Sequence, residues 1–184
     1  PGHPEFGHTP GVETTTGPLG QGFANGIGMA CAARLLAAEF NTGDQPLLDH
    51  YIYAIVGDGD LMEGISSEAA SLAGHWGLGN IIYIYDSNSI SIEGSTELAF
   101  TEDVAARFRA FNWHVVHADG HDTDSIEKAI HEAQTERSRP SLVIAKTRIA
   151  KGSCGKEGSE ESHGAPLGDA DVKESKTCMG CDPG

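Results

Sequence analysis

The sequence predicts an α/β fold in which a parallel β-sheet is covered by helices on both faces. Three observations support this prediction. Apolar segments of strand length alternate with segments of helical pattern, several strands are apolar at successive positions, and 184 residues fit one domain. A strand that is apolar on both sides is typical of a parallel sheet buried between two layers of helices.

The predicted elements follow one another in a regular order. Residues 1–19 are rich in Gly, Pro, Thr and His and are expected to form an irregular loop. Residues 21–40 form a helix whose many Ala and Gly residues favour close packing against a neighbour. Asp124, with Glu127 three residues later, is the expected cap of the last helix. Strands are predicted at 51–56, 80–85, 113–118 and 141–146, with helices at 65–76, 102–111 and 125–137.

The C-terminal part has a different composition. After Arg148 the chain is rich in Gly, Ser, Lys and Glu. We therefore expect one domain over residues 1–170 and a tail over 171–184 that is disordered or foreign to the domain. Because the chain begins with Pro1 and not with methionine, we expect it to be one piece of something longer.

Composition limits the possible functions. The 12 basic and 27 acidic residues give a formal charge of -15, which argues against nucleic acid and anionic membranes as partners. The sequence contains no apolar run of about 18 residues and no visible export signal. Four cysteines with uneven spacing do not indicate a secreted disulfide framework, so a reducing cytoplasm is expected. Cys178 and Cys181 have the spacing of a redox or zinc half-site, without obvious further ligands.

Polar side chains follow two successive predicted strands. Asp58 lies between Gly57 and Gly59 directly after the first strand, and Asn88 follows the second strand, 29 residues after Gly59. Ligands of parallel sheets bind beyond the carboxyl ends of the strands. Mg²⁺ prefers oxygen ligands, which Asp58, Asn88 and the backbone carbonyl of Ile90 could supply together with a diphosphate and water. Taken alone, Gly-Asp-Gly is more typical of a tight turn after a strand, and the second ligand at the end of the adjacent strand is what favours a metal site.

Several motifs resemble the thiamine diphosphate-binding domain of transketolases. The spacing of Gly-Asp-Gly and Asn88 is similar to the thiamine diphosphate fingerprint. Thr-Gly-Pro-Leu-Gly-Gln-Gly at 16–22 and His-Gly-Ala-Pro-Leu at 163–167 resemble transketolases in particular. The similarity runs from residue 1 to about residue 172 and includes the segments 2–5, 62–66, 71–74 and 119–122.

The resemblance implies roles for individual residues. Asp58, Asn88 and the Ile90 carbonyl would bind Mg²⁺ or Ca²⁺, and Gly59 would contact the diphosphate. The remaining implied cofactor contacts are Gly17 and Leu19 near the aminopyrimidine, Ile92 and Ile149 beside the thiazolium, and Glu63 between the two cofactor sites of a dimer. His3 and His163 would face the reacting end, as hydrogen-bonding or proton-transferring groups.

Simpler interpretations of these residues remain open. Judged alone, His3 and His163 are loop histidines exposed to water, and Ile92 and Ile149 are ordinary core residues. Glu63 could simply favour an early helical turn. Asp60 departs from the family pattern, which usually has a small or uncharged residue there. Its charge beside the proposed metal is expected to tighten the ion or to raise the proton affinity of Asp58. The segment 150–152 also departs from the pattern, which puts the shape of its loop in question.

The resemblance implies transfer of a two-carbon ketol unit between sugar phosphates, the reaction of transketolases in the pentose phosphate pathway. The glutamate that activates the cofactor and the basic residues that hold sugar phosphates belong to a later domain of the family. The chain alone is therefore expected to be inactive. It would need a pyrimidine-binding domain, on another chain or in a missing part of the same chain, within a homo- or hetero-oligomer. Dihydroxyacetone synthase, 1-deoxyxylulose-5-phosphate synthase and a non-catalytic module that binds magnesium and diphosphate are the alternatives.

Overall fold

The fold is built around a four-stranded parallel sheet. The computed structural model describes residues 4–182. The sheet has the order β1-β2-β6-β5, with every neighbouring pair parallel. A two-stranded antiparallel ribbon, β3 and β4, follows β2. The strand bounds are β1 Ile52–Gly57, β2 Ile81–Ser87, β3 Ile90–Ser91, β4 Gly94–Ser95, β5 His114–Asp119 and β6 Ser141–Lys146.

Helices connect the strands. Those up to β5 are α1 Gln21–Phe40, α2 Asp58–Met62, α3 Gly64–Trp76 and α4 Val104–Ala110, and those after it are α5 Thr123–Thr135 and α6 Asp169–Cys178. The predicted helix at 21–40 is confirmed at both ends. The other predicted helices up to residue 137 and the predicted strands are confirmed with shifts of one or two residues at their ends. The predicted fold class is confirmed.

Each face of the sheet carries its own core. On one face, α1, α3 and α4 pack over aromatic residues centred on Phe23, Tyr83 and Trp113. On the other face, Ala129 and Ala133 of α5 pack against a smaller apolar cluster that includes Val143. The small residues of α1 allow the close packing that was expected, because a side chain at Gly26 would overlap the Tyr83 hydroxyl.

Strand β1 is an edge strand and is covered on one face only. Tyr53 is 47% exposed and Ile55 is 76% exposed, on the α5 side of the sheet. The helices on this face therefore cover β2, β6 and β5 and leave much of β1 exposed within the described residues. An apolar edge of this kind is typical of a surface that another segment covers.

Two predictions about capping and the tail are wrong in detail. The side chain that caps α5 is Asp122, which accepts a hydrogen bond from Asp124 N, because the helix begins two residues earlier than predicted. Residues 169–178 form α6, where a disordered tail was expected from 171 onward. Cys178 at the end of α6 forms a disulfide with Cys154 and is not paired with Cys181, which is free and exposed.

Within residues 4–182, no helix combines the length and the apolar character that a bilayer crossing requires.

Candidate functional site

The carboxyl ends of β1 and β2 bring the predicted ligands to one edge of the sheet. Gly57 is the register partner of Asp86 in the parallel ladder, so the residues that follow each strand leave the sheet side by side. Asp58 is the first residue of α2, and only 5% of its surface is exposed. A carboxylate this buried needs partners for its oxygens.

Both oxygens of Asp58 have a hydrogen-bond donor. Tyr85 Oη donates to Oδ1 at 2.5 Å, and the backbone N–H of Ser89 donates to Oδ2 at 3.2 Å. Burial raises the pKa of the Tyr85 hydroxyl, and its hydrogen bond to Asp58 raises this pKa further, so Tyr85 remains a donor. The bond from Ser89 places Asp58 next to Asn88 in space, as the spacing of the two motifs predicts.

Asn88 is oriented by its neighbours. Its Oδ1 accepts the Ile90 N–H at 2.9 Å, and its Nδ2 donates to Asp86 Oδ2 at 3.4 Å. The other oxygen of Asp86 accepts the hydroxyl of Thr147, which follows β6. The amide oxygen of Asn88 has a second lone pair that can accept a further partner. Residues at the end of β2, at the start of β3 and directly after β6 thus hold this amide in one orientation.

A lysine supplies positive charge beside these oxygens. Lys146 Nζ donates to Ser89 Oγ at 2.8 Å. The ammonium group therefore lies beside Ser89, the residue that follows Asn88 in the sequence. Ser89 adopts a left-handed conformation with φ of 65°, an uncommon state for a residue with a side chain. The turn at Ser89 aims its N–H at Asp58 and its hydroxyl at Lys146.

Asp60 has a role that differs from the expected one. Its Oδ2 accepts the Gly57 N–H at 2.9 Å, and its Oδ1 accepts the Gly20 N–H at 3.0 Å. The carboxylate is therefore directed at two backbone donors and ties the Gly-Pro-Leu-Gly loop to the start of α2. Asp60 thus has a structural role that the sequence did not predict, and its predicted effect on a metal or on Asp58 stays a prediction.

The Gly-Pro-Leu-Gly loop lies against the Gly-Asp-Gly motif. A Cβ added at Gly59 would come within 3.1 Å of Leu19 Cδ1, so the two motifs are in van der Waals contact. Gly20 has a φ of 76° and no side chain. A Cβ added at Gly20 would lie only 2.7 Å from the Cβ of Glu63, so the glycine leaves room for Glu63. Glu63 lies between α2 and α3 and has an extended backbone conformation. The sequence had suggested that Glu63 lies one turn into a helix.

The other predicted site residues lie on exposed loops. Leu19 is 47% exposed and Ile92 is 66% exposed, so neither is a core residue of the described chain. Gly17 is exposed, Ile149 is half-buried, and His163 is exposed at the end of a short 3₁₀ turn, Glu160–Ser162. His3 lies outside the described residues.

A network anchors the loop that carries Ile149. The backbone N–H of Arg148 donates to Nε2 of His121 at 2.8 Å. Glu157 accepts from Arg148 and Lys151 and from the Gly152 N–H at 3.0 Å. These donors lower the pKa of Glu157 to about 2, the Gly152 N–H most of all, so Glu157 is ionised at neutral pH.

A cavity of about 330 Å³ opens beside Asp58. It lies between the ends of β2, β5 and β6 and the residues that lead into α4. Polar groups on its wall include Asp58, Ser87, Ser89, Thr96 and His117. A concave surface at this end of a parallel sheet is a typical ligand-binding position.

Sequence reasoning did not find Tyr85, Lys146, His121 or the orienting role of Asp86. Tyr85 lies in β2 and Lys146 in β6, so the sequence alone presents both as ordinary strand residues. In the sheet, both side chains lie on the face that carries the site. Asp86 is two positions before Asn88, which is the spacing at which an Asx side chain and a following residue commonly interact. His121 was included in a motif without a role.

Comparisons with known proteins identify the family of the chain. The family model described as "Transketolase, thiamine diphosphate binding domain" matches residues 1–184. The chain is 56% identical to transketolase 2 of Escherichia coli over 181 residues, which are 98% of the chain and 27% of that protein. It is 58% identical to a transketolase of Halalkalibacterium halodurans over 177 residues, 96% of the chain and 26% of that protein.

Solved structures give the same result. A transketolase of Pichia stipitis in complex with sedoheptulose-7-phosphate has a TM-score of 0.91 and 51% identity, and the match covers 100% of this chain and 27% of that one. For a transketolase of Campylobacter jejuni the TM-score is 0.87 and the identity 54%, with coverage of 100% and 28%. The chain thus spans about a quarter of the length of these relatives. It belongs to the family of transketolase thiamine diphosphate-binding domains.

Proposed function

We propose that this chain forms the metal- and diphosphate-binding side of a transketolase active site. The whole enzyme would transfer a two-carbon ketol unit from a ketose phosphate to an aldose phosphate. The observation that carries the proposal is the buried Asp58 carboxylate, fixed by Tyr85 and by the N–H of Ser89 directly beside Asn88. Burial of an acidic group at the ligand-binding edge of a parallel sheet is costly unless a cation or donors compensate for it.

The donor set fits a hard divalent cation. Asp58, Asn88 and the carbonyl of Ile90 offer only oxygen, which suits Mg²⁺ or Ca²⁺. No group of three or more His, Cys, Asp or Glu residues in the described part of the chain could hold a metal by itself. Because this site has a single carboxylate, we infer that the diphosphate completes the coordination and that ion and cofactor bind together.

Local groups also suit a diphosphate. The formal charge of -15 would repel such an anion without a local positive field. Lys146, held at Ser89 Oγ, supplies part of that field, and Gly59 is the second residue of α2, where the first N–H groups have no acceptor within the helix. These features support contacts of Gly59 and Lys146 with the diphosphate.

We assign the loop residues to the aminopyrimidine and thiazolium rings of the cofactor, to the sugar substrate and to a second subunit. Leu19 contacts the Gly-Asp-Gly motif, which supports a place for Gly17 and Leu19 beside the aminopyrimidine. Exposed Ile92 and half-buried Ile149 are apolar groups suited to flank the thiazolium. Glu63 is exposed at the junction of α2 and α3, where it can reach a second subunit. His163 and His3 are assigned to the sugar substrate, as groups that orient a hydroxyl or hold a proton.

When bound, thiamine diphosphate supplies the electron sink that ketol transfer requires. The residues of this chain bind its metal and diphosphate, orient it, and exclude water with apolar side chains. A pyrimidine-binding domain would supply the remaining half of the site. Cytoplasmic location belongs to the same proposal, since phosphorylated sugars are charged and remain in the compartment that makes them.

The described chain has surfaces that suit such partners. Tyr53 and Ile55 leave an apolar edge at β1. A second apolar surface lies on α1 and α3, where Leu35, Leu72 and Trp76 are 67%, 41% and 47% exposed. We propose that the β1 edge is covered by another part of the whole protein and that α1 and α3 contact a second subunit.

Calorimetry with a pyrimidine-domain polypeptide present tests the cofactor assignment. In the presence of Mg²⁺, thiamine diphosphate should bind much more tightly than inorganic pyrophosphate. Asp58→Asn should weaken thiamine diphosphate binding roughly 10- to 100-fold, the range expected when a group supporting a metal is lost. Asp44→Asn, at an exposed acidic residue, is the matched control.

Two results would contradict the proposal. The first is equal affinity for thiamine diphosphate and pyrophosphate, which would indicate a module that recognises diphosphate alone. The second is unchanged binding in Asp58→Asn. A ketol-transfer assay on the same mixture tests the activity separately from cofactor binding.

A further inference from the structure

Three of the four cysteines lie together at the C-terminal end of the described chain. Cys154, in the loop after β6, is bonded to Cys178 at the end of α6, and their Cα atoms are 6.4 Å apart. This separation is within the usual range for a disulfide. Cys181 is a free, exposed thiol three residues after Cys178. The fourth cysteine, Cys31, is half-buried in α1.

The disulfide joins two segments that are otherwise weakly held. Of the ten residues of α6, all of them described, Ser175 alone is buried. Lys156 connects the loop to α6 through an ion pair with Asp171 at 2.7 Å, and it also donates to Leu167 O. An ion pair of this exposure contributes little to stability. The covalent bond is therefore a principal anchor between α6 and the loop at 147–168.

The chemistry of the three sulfurs allows Cys178 to exchange its disulfide partner, from Cys154 to Cys181. Cys154 and Cys178 are exposed, and exposed disulfides are the labile ones. A thiolate attacks one sulfur of a disulfide and expels the other. Cys178 and Cys181 have the Cys-x-x-Cys spacing at which a second thiol can complete such an exchange.

We propose that Cys178 is a thiol–disulfide exchange site that anchors the loop at 147–168 when bonded to Cys154 and releases it when bonded to Cys181. A low-molecular-weight thiol of the glutathione class catalyses the change. Its thiolate bonds to Cys178 Sγ, the bond to Cys154 breaks, and Cys154 leaves as a thiolate. Cys181 then bonds to Cys178 and expels the catalytic thiolate. The proton lost by Cys181 ends on Cys154, and no net oxidant or reductant is consumed.

The released segment includes the loop assigned above to cofactor and substrate. Ile149 and His163 both lie in it. Three backbone N–H groups donate hydrogen bonds that hold its folded state: Gly152 to the side-chain Oε2 of Glu157, Ser153 to Ala150 O and Gly158 to Ile149 O. The exchange of these three amide hydrogens reports the anchoring directly. The inference goes beyond the proposed function and does not depend on cofactor binding.

Peptide mapping and hydrogen exchange of the purified chain, with Cys31→Ser as the common background, test the proposal. Without reductant, tryptic peptides 152–156 and 177–184 should be linked. In a glutathione buffer, Cys154 should become free while residues 177–184 acquire an internal disulfide between Cys178 and Cys181. Exchange at Gly152, Ser153 and Gly158 should rise with that conversion. In Cys181→Ser, residues 177–184 should form no internal disulfide, and the thiolate of Cys154 should expel glutathione from Cys178 and restore the original bond.

Cys154→Ser provides the second variant, since it should contain the Cys178–Cys181 bond from the start and show the faster exchange without glutathione. Three results would overturn the proposal. They are a free Cys154 in the untreated chain, loss of the Cys154 link without formation of the Cys178–Cys181 bond, and complete conversion with unchanged exchange of the three amides.

Discussion

Asp60 Oδ1 accepts a hydrogen bond from the backbone N–H of Gly20 at 3.0 Å, across 40 residues of sequence. The other carboxylate oxygen accepts the Gly57 N–H at the end of β1. One side chain thus fixes the Gly-Pro-Leu-Gly loop and the Gly-Asp-Gly motif relative to each other. The position of Leu19 against Gly59 follows from this connection.

Asp60→Ala should lower the free energy of unfolding by about 2–4 kcal/mol, because two partly buried N–H groups lose a charged acceptor. Asp60→Asn should cost less, since one oxygen remains. Urea denaturation of the purified variants measures both effects. Glu93→Ala, at an exposed acidic residue of the β3–β4 turn, should change stability by no more than about 0.5 kcal/mol. Equal stabilities of Asp60→Ala and Glu93→Ala would contradict the role assigned to Asp60.

Two glycines of α1 should respond in opposite directions to the same substitution. A Cβ at Gly26 would overlap the Tyr83 hydroxyl, which donates to Phe23 O at 2.7 Å. Gly26→Ala should therefore destabilise the chain by about 1–3 kcal/mol through overpacking. At Gly28 no atom lies within 4 Å of an added Cβ, so Gly28→Ala should stabilise the helix by about 0.5–1 kcal/mol.

Thermal unfolding of the two alanine variants measures this difference. If both substitutions shift the melting temperature in the same direction, α1 does not approach β2 as closely as described. The pair also separates packing from helix propensity, because the propensity gain is the same at both positions.

The sequence predicts the sheet and the ligand edge because both depend on local patterns. The apolar segments at 51–56 and 142–145 are continuous, and chain direction alone places Asp58 and Asn88 at the same end of parallel strands. The role of Asp60 was not predictable in this way. Its acceptor bond to Gly20 depends on the packing of a distant loop, which no spacing in the sequence encodes.

The C-terminal residues show a second limit of sequence patterns. Helix α6 has few apolar residues, so its sequence resembles a solvated tail. Its placement depends on a bond from Cys178 to Cys154, 24 residues earlier, whereas the Cys-x-x-Cys spacing pointed to Cys181. The edge strand β1 is a third case, because a fully apolar strand predicts cover on both faces, whereas Tyr53 and Ile55 are exposed in the described residues.

His121 should hold the start of the loop that carries Ile149. Its Nε2 accepts the Arg148 N–H at 2.8 Å, which requires an unprotonated nitrogen at that position. His121→Phe removes the acceptor and should speed hydrogen exchange of the Arg148 amide. His121→Gln should restore part of the protection, because its amide oxygen can accept a hydrogen bond.

NMR measurement of Arg148 amide exchange tests this role. His131→Phe is the control, since His131 is an exposed histidine of α5 whose side-chain contacts are within that helix. Identical Arg148 exchange in His121→Phe and His131→Phe would exclude His121 as a positioning residue.

Glu157 should make the same loop sensitive to acid. The Gly152 N–H and the Arg148 guanidinium lower the pKa of Glu157 from an ordinary value of 4.5 to about 2. A lowered carboxylate pKa stabilises the folded loop fully above about pH 4.5, and the stabilisation is lost as the pH falls through about 2. The Gly152 amide shift, followed by NMR, should therefore titrate with a midpoint near pH 2. Glu157→Gln should abolish this titration, whereas Glu174→Gln on α6 should leave it unchanged. A midpoint near 4.5 would show that Glu157 is not held by these donors in solution.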